Sequence, residues 1–88
     1  VGIALPAPLD IRTGMIATPG LLRGWQGVDV AEVMTNRIGV PVFVDNEANL
    51  GGLAEARFGA GRNTRGAAYL RIGHGVSAGL VINGAIYH

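Results

Sequence analysis

Two carboxylates and two amides crowd one point of this chain, at Asp45-Asn46-Glu47-Ala48-Asn49, where an apolar run ends and small residues begin. Such groups suit a polyhydroxylated ligand, because carboxylates accept hydrogen bonds from hydroxyls and amides both donate and accept. The same residue types also satisfy the free N–H groups at the start of a helix. On the residues alone both readings stand. A second cluster, Gly73-His74-Gly75-Val76-Ser77-Ala78-Gly79, is rich enough in glycine to cradle a phosphate through backbone N–H groups. It also reads as a plain glycine-rich bend. Its third glycine comes one place late for a dinucleotide fingerprint, and with no lysine anywhere it is not a P-loop. His74 and His88 have no metal-ligand spacing, and no histidine lies at motif spacing from Ser77, so neither a metal site nor a nucleophilic serine is supported. Trp25, in Arg23-Gly24-Trp25-Gln26-Gly27, faces a partner or a ligand, or anchors its own loop.

The elements that must position these groups are legible from periodicity. Val1 to Leu5 reads as a buried strand, and Pro6-Ala7-Pro8 as a stiff exit loop. Leu9 to Thr18 reads as two extended arms about a turn at Thr13-Gly14, and Pro19 to Gly27 as a loop. A first helix follows, capped by Asp29 with Glu32 three residues later and stopped by Gly39 and Pro41. Val30, Val33, Met34 and Ile38 share one face. Val40 to Asp45 is apolar on both faces, the pattern of a central parallel strand, whose carboxyl end is where open α/β sheets bind ligands.

A second helix is expected over about 48–58, with Leu50, Leu53, Ala54 and Phe58 inward. Gly51 and Gly52 in its first turns each cost about 1 kcal/mol relative to Ala, which is tolerated where a backbone or ligand comes close. Residues 61–66 then form a polar, glycine-rich boundary or hinge. Beyond them Ala67 to Ile72 is a strand, and Asn83-Gly84 between apolar arms marks a type I′ hairpin. The period thus changes from alternating strands and helices to a β-meander.

Composition bounds the partners. Seven arginines against six acidic residues give a net charge of +1, no electrostatic footprint for nucleic acid or an anionic membrane. No run is long and apolar enough for a membrane span. The absence of cysteine excludes disulfides and thiolate metal sites, and fits a cytoplasmic setting. Eighty-eight residues bury only about 60% of their unfolded surface, and the apolar start at Val1 suggests an excerpt of a longer protein.

Four segments in order, Gly2 to Asp10, Pro19 to Val30, Gly39 to Gly61 and Ala67 to Tyr87, resemble the middle portion of bacterial ROK proteins (repressors, open reading frames and kinases). That family has the actin-like, ribonuclease H-like two-domain ATPase fold, with sugar and ATP meeting in a cleft. The resemblance implies an α/β fold in which 1–60 belong to the N-terminal domain, 61–66 to a hinge and 67–88 to the first strands of the second domain. In the family's kinases an Asn-Asp pair binds sugar hydroxyls and supplies the base. Those positions fall on Asn46 and Glu47, and the usual Gly-Thr-Gly phosphate loop on Gly73, His74 and Gly75. Glu replaces Asp and His replaces Thr, so both chemical points depart from the kinase pattern. A frequent Pro-Gly-Pro is here Pro6-Ala7-Pro8.

The resemblance therefore implies the sugar-sensing part of a transcriptional regulator, with an ATP- and magnesium-dependent sugar kinase as the alternative. DNA would be held only by a helix-turn-helix preceding Val1, and a structural zinc by a motif following His88. A homo-oligomer is expected for the longer protein.

Overall fold

The computed structural model describes residues 1–17 and 22–88; the end of the Leu9 to Thr18 segment and the start of the Pro19 to Gly27 loop lie outside the described residues. The chain divides into two compact units, Val1–Asn46 and Glu47–His88.

In the first unit, β1 (Gly2–Leu5) pairs in parallel with β2 (Phe43–Asn46), with Ile3 opposite Val44 and Leu5 opposite Asn46. β2 begins later than its apolar run. Pro41 has no N–H to donate, and the Val42 N–H goes instead to Thr35 Oγ1 at 3.1 Å. Between the strands, Leu9 bridges Ile16 in antiparallel fashion around the expected turn, where Gly14 takes φ +72°. α1 (Val30–Ile38) has the expected ends. Asp29 accepts the Glu32 N–H at 3.1 Å, and Gly39, at φ +83°, donates to the Thr35 carbonyl at 2.9 Å. Among the described residues, Leu5, Ala7, Val30 and Val42 are this unit's buried apolar residues. Of the expected helix face only Val30 is buried; Met34 is half-buried, and Val33 and Ile38 are exposed.

In the second unit, α2 (Glu47–Phe58) is followed by an antiparallel sheet of β3 (Gly66–Ile72), β4 (Val76–Ile82) and β5 (Ala85–Tyr87), in that order. Asn83 (φ +52°) and Gly84 (φ +79°) make the expected β4–β5 turn. Register places Ala67, Tyr69 and Arg71 on one face with Val81, Gly79 and Ser77. α2 covers that face. The opposite face presents Leu70, Ile72, Val76, Leu80, Ile82 and Tyr87, all exposed.

The inward face of α2 differs from expectation. Its buried residues are Ala48 and Gly52, whereas Leu50 and Leu53 are half-buried, Ala54 is exposed and Phe58 is 80% exposed. The cause is a close approach. A Cβ on Gly79 would overlap the Ala48 carbonyl oxygen and lie 2.9 Å from Asn49 Cα, and one on Gly51 would lie 2.6 Å from the Tyr69 ring. Small residues therefore make the seam, and large ones are displaced to its sides.

Residues 61–66 do not divide the compact units, because α2 is packed on β3 and β4 and so groups with the meander. The turn after α2 is closely bonded. Gly59 and Gly61 both donate to the Glu55 carbonyl at 3.0 Å, and Ala60 donates to Glu55 Oε2 at 2.9 Å.

Candidate functional site

The first unit ends in the polar cluster. Asp45 and Asn46 are the last residues of β2 and both are half-buried. The Asn46 backbone N–H donates to Asp45 Oδ1 at 2.7 Å, so part of this carboxylate shapes the local backbone. Asp45 entered the sequence reading only as part of the cluster, and its proximity to Asn46 is the signal that could have separated the two roles. Asn46 lies at the carboxyl end of a parallel strand, as expected.

Glu47 opens the second unit as the first residue of α2, where the helix dipole favours a carboxylate. The nearest cation is one that residue-by-residue reading did not find. Arg71, near the end of β3, places Nη1 3.1 Å from Glu47 Oε1. The two side chains are 49% and 28% exposed, so both keep access to solvent and to a ligand. The pair forms because α2 lies over the face on which register puts Arg71, while the Ala48–Gly79 contact holds the first turn of α2 against β4.

Gly73, His74 and Gly75 form the short loop between β3 and β4, close after Arg71. The Gly73 N–H donates to the Gly75 carbonyl at 2.9 Å, which closes the loop on itself. A Cβ on Gly75 would meet nothing, and one on Gly73 would meet only Arg71 Nη1 at 3.9 Å. The loop thus offers room for an approaching group and a neighbouring cation, with the Gly73 donor already engaged. His74 is exposed. The second unit therefore brings Glu47 and Arg71 together, and places the glycine loop next to Arg71 along the chain.

A shallow depression of about 410 Å³, lined by Glu55, Ala60, Gly61, Ala68, Tyr69 and Leu70, includes none of these residues. Among the described residues no cluster of three His, Cys, Asp or Glu could hold a metal ion, and no helix is long and apolar enough to cross a membrane. Trp25 lies in a 3-10 turn, Arg23–Trp25, and is 41% exposed.

Comparison with known proteins identifies the family and the fold. The sequence model of the ROK family matches residues 1–88. The chain is 33% identical over 87 residues to a xylose repressor of Bacillus spizizenii, covering 99% of this chain and 22% of that protein. It is 34% identical over 90 residues to a glucokinase of Halalkalibacterium halodurans, covering 100% of this chain and 27% of that one. Its backbone superposes with TM-score 0.85 on a ROK family glucokinase from Streptomyces griseus, solved with glucose and AMPPNP. There the identity is 26%, with 98% of this chain and 27% of that chain covered. The chain thus has a mixed α/β structure matching part of the actin-like, hexokinase-like ATPase fold, and it spans about a quarter of the length of these relatives. With the family's sequence pattern running from end to end, and its strand and helix order reproduced in space, this chain belongs to the ROK family.

Proposed function

We propose that this chain is part of the sugar-sensing domain of a ROK transcriptional regulator, with Asn46 and Glu47 as ligands of sugar hydroxyls. The observation that carries the reading is the state of Glu47. At the position of the kinases' base stands a longer carboxylate, held by Arg71 at 3.1 Å. A base must meet the attacking hydroxyl in near-attack geometry, and misplacement by 1 Å costs on the order of 10²-fold in rate. A hydrogen-bond acceptor tolerates such a shift. The repressor relative supports the same reading. The exposed apolar face of β3–β5 is what part of a larger core presents, and supports a longer protein in which 61–66 act as a hinge. DNA contact, a homo-oligomer, a structural zinc and a cytoplasmic location belong to that longer protein in this proposal.

The second reading is an ATP-dependent sugar kinase. It is favoured by the glucokinase relative and by the open approach to Gly75. The glycine loop fits a phosphate group only in part, since its Gly73 N–H is engaged within the loop and His74 stands where kinases carry a small hydroxyl.

Titration calorimetry on the full-length protein with Asn46→Ala tests the leading reading. Loss of a half-buried amide that bonds the sugar hydroxyls should weaken sugar binding by about 1–3 kcal/mol. Unchanged affinity together with lowered stability would place Asn46 as a helix cap instead.

A further inference from the structure

We propose that Arg71 determines which sugars this site accepts, by making Glu47 one half of a fixed donor–acceptor pair that favours neutral sugars over anionic ones. The inference rests on the sugar-binding reading above. Arg71 and Glu47 are 3.1 Å apart, about one hydrogen-bond length, and both are partly exposed. An ionised carboxylate only accepts, whereas a guanidinium carries five N–H donors in a rigid fork. One carboxylate uses at most two of those donors, so the pair can accept from one hydroxyl and donate to its neighbour on the next carbon.

Charge supplies the selection. The pair carries no net charge, so it offers a neutral polyol an oriented acceptor and donor without a net attraction for either ionic sign. A sugar carboxylate or phosphate meets the repulsion of Glu47 and an arginine already engaged. Position supplies the rigidity. Arg71 is fixed by β3–β4 pairing opposite Ser77, and Glu47 by the packing of Ala48 against Gly79. The two halves of the pair thus come from elements that cannot separate without breaking the seam. Removing either half changes the preference in a defined direction. Without its acid, Arg71 becomes an unpaired cation that attracts an anion. Without its base, Glu47 is an unpaired acid that repels one.

The test is calorimetry on the full-length protein with glucose, xylose and glucuronate, for the wild type, Glu47→Gln, Arg71→Met and Arg71→Lys. Because the pair is partly exposed, the effect is that of a screened charge, about fivefold. Glu47→Gln should shift the neutral-to-acidic affinity ratio toward glucuronate by about that factor. Arg71→Met should weaken the neutral sugar about fivefold without gaining glucuronate, and Arg71→Lys should restore part of the loss. A ratio unmoved by Glu47→Gln and a neutral-sugar affinity unmoved by Arg71→Met, while Asn46→Ala still weakens the neutral sugar, overturns the role of Arg71 and leaves the sugar site standing. A wild type that binds none of these sugars overturns both.

Discussion

Replacing Gly79 by Ala should disturb stability and the site together. Gly79 is buried in β4, and a Cβ there would lie 2.6 Å from the carbonyl carbon of Ala48 and 2.9 Å from Asn49 Cα. Both obstacles are backbone at the start of α2, so no rotamer change relieves them. The Ala48 carbonyl oxygen is closer still, so restoring ordinary contact at 3.4 Å requires the first turn of α2 to lift by about 1.3 Å, an overpacking that typically costs about 1–3 kcal/mol. The lift carries Glu47, the residue before Ala48, away from Arg71 by a comparable distance, and with it the acceptor proposed for the sugar. Gly51→Ala is the control. The nearest atoms to its Cβ would be those of the Tyr69 ring, a side chain rather than backbone, and the helix gains about 1 kcal/mol of propensity. Denaturant unfolding of the full-length protein, with sugar calorimetry on the same samples, reads both effects. Gly79→Ala should be the more destabilising and should weaken sugar binding. Stability within 0.5 kcal/mol of wild type, with affinity retained, would refute the seam as the element that positions Glu47.

Three further outcomes follow from local geometry. Asp29→Ala should destabilise α1 by about 1 kcal/mol through loss of the bond to the Glu32 N–H, and an unchanged denaturation midpoint would contradict that cap. Gly84→Ala should cost about 1 kcal/mol, because its φ of +79° is left-handed, and Gly84→Asn should cost less. The Arg12 backbone N–H, 2.8 Å from Asp10 Oδ1, is the largest influence holding that carboxyl below its ordinary 3.8, with the Arg12 side chain assisting. A depressed carboxyl stabilises the folded chain above the ordinary value, and the contribution disappears as pH falls through the lower folded one. An NMR titration should place the Asp10 midpoint below 3.8, and a midpoint at or above it would contradict the assignment.

Which features were legible in the sequence depended on how local their causes are. Asp29, Glu32 and Gly39 signal the ends of α1 within one stretch of chain, and Asn83-Gly84 signals its own turn. Both are present in the structure. The inward face of α2 was not legible from its own period, because it is set by Gly79 and Tyr69 on other strands. An approach that close excludes Phe58 and Leu53 from the seam and selects Ala48 and Gly52. The site divides in the same way. Asn46 and Glu47 announce themselves by side-chain type at the end of an apolar strand. Arg71 reads as an ordinary strand residue until β3–β4 register and the placement of α2 bring it to Glu47.

The most direct test of the sensing account measures ADP release by the full-length protein with ATP, Mg²⁺ and glucose or xylose, beside Glu47→Asp. The account predicts that the unmodified protein binds a sugar in calorimetry yet releases ADP at least about 10²-fold more slowly than the 1–100 s⁻¹ usual for kinases. Shortening the side chain in Glu47→Asp should raise turnover only modestly, since His74 and the engaged Gly73 N–H still shape the phosphate loop. Sugar-dependent ADP release by the unmodified protein at ordinary kinase rates would contradict the account and establish the kinase reading.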